Sequence, residues 1–290
     1  MSGSVADITE RWIRAGSRKI PLGTRALVMG VLNVTPDSFS DGGRFLDPCY
    51  ALDQAQKMVE EGVDIIDIGA ESSRPGSKGV DAKEELRRLR PVLQMLGKQC
   101  SVPISVDTRK ADVARKALDW GVHLINDISA LRFSPEMGSV VAEARAGIVL
   151  MHMQGDPDTM QDCCQYDNVI EDVKQFLCDR IKVAESYGIH REQIVIDPGI
   201  GFAKNIDQNL RLLNGLSSFE SLGQPILVGV SHKSFIGSVL KRPIPDRMMG
   251  TATAVATSVL HGAHIVRVHD VEQMCDVVTM ATAIKQARWN

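Results

Sequence analysis

A chain of 290 residues, 44% hydrophobic and 24% charged, can bury a core, and 33 basic against 36 acidic side chains leave a formal net charge of only −3. These figures exclude a disordered, collagenous or coiled-coil chain and give no support to nucleic-acid binding through overall basicity. The length admits one large α/β domain or two small ones, and lies near the ~250 residues of a (β/α)8 barrel with modest additions.

In chain order, residues 1–25 read as an N-terminal extension that caps or flanks the bottom of the domain. Asp7, Glu10, Arg11 and Arg14 interrupt it where a signal peptide would be apolar. No later apolar run reaches the ~18 residues of a membrane-spanning helix, so a soluble, cytoplasmic protein is expected.

From residue 26 onward, short β-rich apolar runs alternate with stretches of helical spacing, the pattern of a parallel sheet. Leu27 to Asn33 is followed by Tyr50 to Glu61, Val63 to Gly69 by Lys83 to Leu96, and Ile104 to Asp107 by Lys110 to Trp120. His123 to Asn126 precedes Pro135 to Arg145, and Ile148 to His152 precedes Val169 to Tyr187. Ile194 to Asp197 leads to Asp207 to Leu213, Ile226 to Ser231 to Gly250 to His261, and Ile265 to His269 to Val271 to Gln286. Eight strand–helix units close naturally into a barrel, whereas a doubly wound open sheet more often has five to seven strands. The expectation is therefore α/β, a (β/α)8 TIM barrel over residues 26–290 as a single domain.

Two connections, Thr35 to Pro48 and Glu71 to Asp81, exceed the common βα length and are rich in Gly, Ser, Pro and Asp. They are candidate lids. The six cysteines (Cys49, Cys100, Cys163, Cys164, Cys178 and Cys275) show no C-x-x-C spacing and read as reduced thiols in packing roles.

Polar residues end nearly every run: Asn33, Asp67 then Glu71, Asp107, Asn126 with Asp127, His152, Asp197, Ser231 with His232 and Lys233, and Arg267 with His269. The catalytic face of a parallel barrel is the C-terminal end of its strands, so these groups gather at one mouth. One of them alone reads as a helix N-cap, as Asp107-Thr-Arg-Lys would allow. Together, Asp107, Asn126 and Asp197 suit a flat, donor-rich heterocycle, because a carboxylate accepts two N–H bonds side by side and an amide both donates and accepts. Arg74, Arg267 and His269, joined by the amide of Asn33, suit an anionic substrate portion. Lys233 reads as a donor with a packing stem rather than a Schiff-base nucleophile, since no carbonyl substrate is in view.

Other signals are weak. Asp197-Pro-Gly-Ile-Gly-Phe lacks G-x-G-x-x-G, and Gly229-Val-Ser-His-Lys-Ser lacks P-loop spacing. His261 and His264 fall on the bottom face, Met151-His152-Met153 reads as packing rather than metal binding, and the mixed-charge faces at Lys174 to Lys182 and Glu84 to Arg90 read as solvated.

Met29-Gly-Val-Leu-Asn-Val-Thr-Pro-Asp-Ser-Phe-Ser-Asp-Gly-Gly43 and Asp67-Ile-Gly-Ala-Glu-Ser-Ser-Arg-Pro-Gly76 resemble the two signature loops of the dihydropteroate synthases. The likeness continues in the family's order through Ser105-Val-Asp-Thr-Arg109, Ile125-Asn-Asp-Ile128, Met151-His-Met-Gln-Gly155, Asp197-Pro-Gly-Ile-Gly-Phe202, Val228-Gly-Val-Ser-His-Lys-Ser-Phe-Ile-Gly237 and Arg267-Val-His-Asp-Val271. It implies a pterin-binding barrel that joins 6-hydroxymethyl-7,8-dihydropterin diphosphate to 4-aminobenzoate, with Mg2+ accompanying the diphosphate and a homodimeric assembly. Residue by residue, it implies that Asp107, Asn126, Asp197 and Lys233 hold the pterin edge while Met151 packs on the ring. It gives Asn33, Arg74, Arg267 and His269 to the diphosphate, with Asn33 also contacting Mg2+. Asp41, Ser73, Pro75, Phe202, Ser231 and His232 shape the aminobenzoate end and its lids.

Three positions depart from the commonest family pattern: Ala70 and Ser73 stand for Gly and Thr, and His232 for Arg. Imidazole cannot reproduce a fixed guanidinium charge, so His232 is expected to make aminobenzoate affinity more pH-sensitive. No extra residues interrupt Ser38-Phe39-Ser40-Asp41 or Ser73-Arg74-Pro75, and sulfonamide sensitivity is expected. The alternatives are a methyltetrahydrofolate-dependent methyltransferase and a non-catalytic pterin-binding paralogue.

Overall fold

A computed structural model describes residues 11–35, 48–71, 79–155 and 164–287. Asp41, Ser73, Arg74 and Pro75 lie outside the described residues, as does most of the two candidate lids.

An antiparallel hairpin, β1 (Arg11–Ala15) and β2 (Arg18–Leu22), precedes eight parallel strands. These are β3 (Leu27–Asn33), β4 (Ile65–Gly69), β5 (Ile104–Asp107), β6 (Leu124–Asp127), β7 (Gly147–Met151), β8 (Ile194–Asp197), β9 (Leu227–Gly229) and β10 (Ile265–Val268). Their order is β8-β7-β6-β5-β4-β3-β10-β9, and a parallel bridge between Ile196 and Ile226 brings β8 to β9, closing the barrel. Both faces of each strand are covered, which is why the strands read as nearly continuous apolar runs.

Around them lie α1 (Pro48–Glu60), α2 (Ala82–Gln99), α3 (Ala111–Asp119), α4 (Met137–Ala144) and α5 (Val169–Ser186). They are followed by α6 (Ile206–Asn214), α7 (Ser234–Leu240), α8 (Met248–Leu260) and α9 (Val271–Gln286). Their starts follow local chemistry. Asp81 Oδ1 accepts the Glu84 N–H at 2.7 Å to cap α2, and Asn205 with Gln208 forms a reciprocal capping box on α6.

Two elements exceed the sequence expectation. The first is the β1–β2 hairpin, which packs against the bottom of the barrel. Ile13, Ala15 and Ile20 join Leu27, Met29, Ile65, Leu124, Val149, Val195, Leu227 and Ile265 in one buried cluster. Gly147 admits the hairpin: a Cβ there would stand 3.2 Å from Arg14 O, and Gly16 N–H donates to Arg145 O at 2.9 Å. The second is α7, a seven-residue helix between β9 and α8, too short to show helical periodicity.

Some strand ends differ by a residue or two. Val63 spends its N–H on Met58 O at the end of α1, so β4 begins at Ile65. Val230 and Ser231 leave β9 because Val230 O accepts the Lys233 N–H in a turn and Ser231 Oγ turns toward His269.

Strand periodicity places the site. Above the apolar plug, the same inward faces switch to polar groups: Asp67 follows Ile65, Asn126 follows Leu124, Asp197 follows Val195 and Arg267 follows Ile265. The apolar lower half of the barrel therefore supports a polar upper half.

Candidate active site

At the mouth, Asp67 is wholly buried and its Oδ2 accepts two hydrogen bonds, from Asn126 Nδ2 at 3.1 Å and from Arg267 Nε at 2.6 Å. Arg267 also donates from Nη2 to Asp107 Oδ2 at 3.1 Å. β4, β5, β6 and β10 thus contribute one connected group. Asn126 keeps its amide oxygen and a second N–H for a ligand, and Asp107 keeps its other oxygen.

Burial drives Asp107 up to about 7, reinforced by the like charges of Asp67, Glu85 and Glu71 and opposed by Arg267. Across the barrel, Asp197 is raised to about 6, again chiefly by burial, while the Gly199 N–H on its Oδ1 at 2.7 Å, Lys233 and Lys204 oppose the shift. Lys233 is pushed down to about 8 by burial and by Arg267, against the pull of Asp197 and Asp107. Its Nζ stands 3.9 Å from the centre of the Phe202 ring, a cation–π contact.

The loop after β8 fits closely. Gly199 (φ +69°) and Gly201 (φ +83°) have left-handed backbones, and a Cβ at Gly199 would overlap His152 O. One at Gly201 would press within 2.8 Å of Lys233 Cδ. Phe202 and Met151 belong to a small apolar cluster with Ile128, Met153 and Ala203. That cluster gives a flat ring an apolar wall beside the carboxylates.

The remaining groups sit after β9 and β10. Ser231 Oγ meets His269 Nδ1 at 2.9 Å and accepts its backbone N–H at 3.3 Å. His269 is depressed to about 4 by burial, Arg267 and His232, and so is neutral near pH 7. His232 adopts φ +56° and places Nε2 2.7 Å from Asp270 Oδ2, with its ring centre 5.8 Å from that of His269.

Asn33 ends β3 half-buried, and its Oδ1 would lie 3.5 Å from a Cβ on Gly69. No group of three or more His, Cys, Asp or Glu side chains converges on a metal position among the described residues. Among the described residues, the neutral oxygen of Asn33 is therefore not part of a carboxylate cage. This fits a Mg2+ carried largely by phosphate oxygens and water.

The structure brings Asp107, Asn126, Asp197, Lys233, Met151, Phe202, Arg267, Ser231, His232, His269 and Asn33 to one end of the barrel. Arg267 binds the carboxylate group rather than standing apart beside His269. Sequence reading noted Asp67 but gave it no role, although its spacing from Ile65 already marks an inward position. Lys204 and Asp270 were missed. A cavity of about 520 Å3 at the opposite end of the barrel, lined by Arg11, Arg25, His264 and Lys285 among others, contains none of the strand-end groups.

The sequence pattern of the pterin binding enzymes matches residues 29–269. The chain is 48% identical over 263 residues to a dihydropteroate synthase of Synechocystis sp., covering 90% of this chain and 91% of the relative. It is 44% identical over 260 residues to that of Bacillus subtilis, covering 90% and 89%. Among solved structures, the Xanthomonas albilineans dihydropteroate synthase with 4-aminobenzoic acid superposes with a TM-score of 0.90 at 41% identity, covering 97% of this chain and 100% of that one. The Yersinia pestis dihydropteroate synthase with a sulfonamide drug complex gives 0.90 at 39%, covering 95% and 99%.

Proposed function

The chain belongs to the pterin binding enzymes, among the dihydropteroate synthases, and on that premise we propose that it condenses 6-hydroxymethyl-7,8-dihydropterin diphosphate with 4-aminobenzoate, giving 7,8-dihydropteroate and diphosphate. The observation that carries this reading is the set of Asp107, Asn126 and Asp197 at three strand ends, backed by Asp67 and Arg267 and flanked by Lys233.

The carboxylates accept ring N–H groups of the pterin edge, and Asn126 supplies the complementary donor and acceptor. Met151 lies against the ring. At the exocyclic CH2 the C–O bond to diphosphate breaks, the aminobenzoate nitrogen forms the new C–N bond, and the amine proton leaves to solvent or diphosphate. The electron-rich pterin shares the positive charge that develops, so the substitution has dissociative character.

The protein's contribution is positional and electrostatic. Ser231 orients His269 toward the leaving group, and Lys233 adds positive charge near the ring. Phe202 packs against the aryl amine and helps exclude water. We assign Arg74 to the diphosphate, and Asp41, Ser73 and Pro75 to the aminobenzoate end and its lids. Mg2+, with Asn33 as a protein oxygen beside it, would supply charge neutralisation on the diphosphate.

We also assign a homodimer and a cytoplasmic location. Val239, Leu240, Ile244, Met249, Met280 and Ile284 are all exposed on α7, α8, α9 and the turn between α7 and α8. Large apolar side chains grouped on one side of a molecule mark an interaction surface. No helix among the described residues is long and apolar enough to cross a membrane.

The test is diphosphate release from the purified protein with dihydropterin diphosphate and Mg2+, with and without 4-aminobenzoate. The reading requires release that depends on the amine. Saturable pterin binding without release is the behaviour of a non-catalytic paralogue.

A further inference from the structure

Lys204 is 3% exposed, yet among the described residues its hydrogen-bond partners include no carboxylate. Its Nζ donates to Gly199 O at 3.0 Å and to Phe202 O at 2.9 Å, and meets His152 Nδ1 at 3.0 Å. Burying an ammonium is costly unless its hydrogen bonds are all made, and here three neutral partners match its three donors. Two are carbonyls of the five-residue loop Gly199 to Ala203, in which Gly199, Gly201 and Ala203 have positive φ.

Other groups fix the same loop. Asp197 Oδ1 accepts the Gly199 N–H at 2.7 Å, Asn209 Oδ1 accepts the Gly201 N–H at 2.6 Å, and Tyr166 donates to Ala203 O at 2.9 Å. Lys204 differs from these side chains because it holds both ends of the turn, adding to the Phe202 N–H that donates to Gly199 O at 3.1 Å by fixing the Phe202 carbonyl as well. The loop carries Phe202, whose ring lies over Lys233 Nζ, and follows Asp197 at the pterin edge.

We propose that Lys204 is a positioning residue that fixes the Phe202 wall of the amine-binding end by holding the Gly199 and Phe202 carbonyls, and so sets selectivity for the second substrate. This rests on the functional reading above. Asp197 has its own anchor in the Gly199 N–H and strand β8, so the pterin end depends on Lys204 much less than the aminobenzoate end does. The tie also survives titration. Lys204 is depressed to about 7 by burial, and a neutral amine still donates to both carbonyls while accepting from His152 Nδ1–H. His152, pushed down to about 2, stays neutral and can adopt either tautomer.

Steady-state kinetics of wild type, Lys204→Met and Lys204→Gln, each substrate varied at saturation of the other, tests this alongside thermal melting. Lys204→Met should raise the KM for 4-aminobenzoate by about tenfold and leave that for dihydropterin diphosphate within about twofold. Lys204→Gln, which keeps two N–H donors without charge, should recover most of the loss. An equal rise in both KM values, or none in that for aminobenzoate, overturns the proposal. If the methionine variant does not fold, Lys204→Ser, too short to reach either carbonyl, takes its place: a rise confined to aminobenzoate supports the proposal, and an equal rise in both KM values or none overturns it. Wild-type turnover in the same assay tests the functional reading separately.

Discussion

Asp67 and Arg267 form an ion pair 200 residues apart in sequence, with Arg267 Nε 2.6 Å from the fully buried Asp67 Oδ2. The same carboxylate oxygen holds Asn126 Nδ2. Asp67 therefore lies beneath the proposed pterin pocket and aims two of the groups assigned to it. Removing Asp67 leaves Arg267 with Asp107 as its remaining carboxylate and leaves the Asn126 N–H without its acceptor, at a cost of roughly 1–3 kcal/mol. Asp67→Ala should lose stability on that scale in chemical denaturation and raise the KM for dihydropterin diphosphate by at least about tenfold. Asp67→Asn, which retains an acceptor oxygen, should fall between. A pterin KM untouched by Asp67→Ala contradicts the arrangement.

The raised carboxyls set a pH dependence whose sign is fixed. Asp107, near 7, and Asp197, near 6, become neutral as pH falls and can then no longer accept two N–H bonds as carboxylates. The kcat/KM for dihydropterin diphosphate should decline on the acid side with apparent pKa values between about 6 and 7, which report the free enzyme. A profile flat from pH 5.5 to 8 would count against these roles.

His232 is committed to Asp270 through a 2.7 Å contact and packs near His269. His232→Arg, which installs a permanent guanidinium beside Asp270, should change the KM for aminobenzoate by at least about threefold and leave that for dihydropterin diphosphate within about twofold. An unchanged aminobenzoate KM removes the idea.

The hairpin should matter for stability and not for chemistry. Ile13 is completely buried in the plug beneath the barrel, and truncating a buried Ile to Ala costs roughly 2–5 kcal/mol. Ile13→Ala should lower the denaturation midpoint accordingly while both KM values stay within about twofold of wild type. A selective change in one KM would show that the plug reaches the site.

If the exposed side chains of α7 to α9 meet a second copy, charge there should separate the subunits. Ile244→Glu with Met249→Glu, at residues 55% and 76% exposed in the single chain, should sediment as a monomer where wild type sediments as a dimer. A wild-type monomer, or a double variant that remains dimeric, contradicts the assigned surface.

The barrel was legible because parallel strands buried on both faces read as apolar runs ending in polar residues. Leu27–Asn33, Ile104–Asp107 and Ile194–Asp197 emerge with the bounds the sequence suggests. Asp107, Asn126, Asp197 and Lys233 were legible for the same reason, as strand-end groups. The hairpin was not read as strands because five-residue segments such as Arg18–Leu22 mix charged and apolar residues too briefly to show a period. The pairing of Arg267 with Asp67 and Asp107 depends on the last strand, β10, lying beside the first, β3, a register no local pattern displays. Lys204 was invisible for a different reason: its partners are two backbone carbonyls and a histidine in a turn, and a lysine that binds carbonyls leaves no signature in sequence.

The most direct test of the account is chromatographic and mass identification of the product formed by purified protein from dihydropterin diphosphate, 4-aminobenzoate and Mg2+. The account predicts 7,8-dihydropteroate in one-to-one ratio with released diphosphate, abolished when the amine is omitted. Diphosphate release without a condensed product, or neither binding nor product, would contradict it.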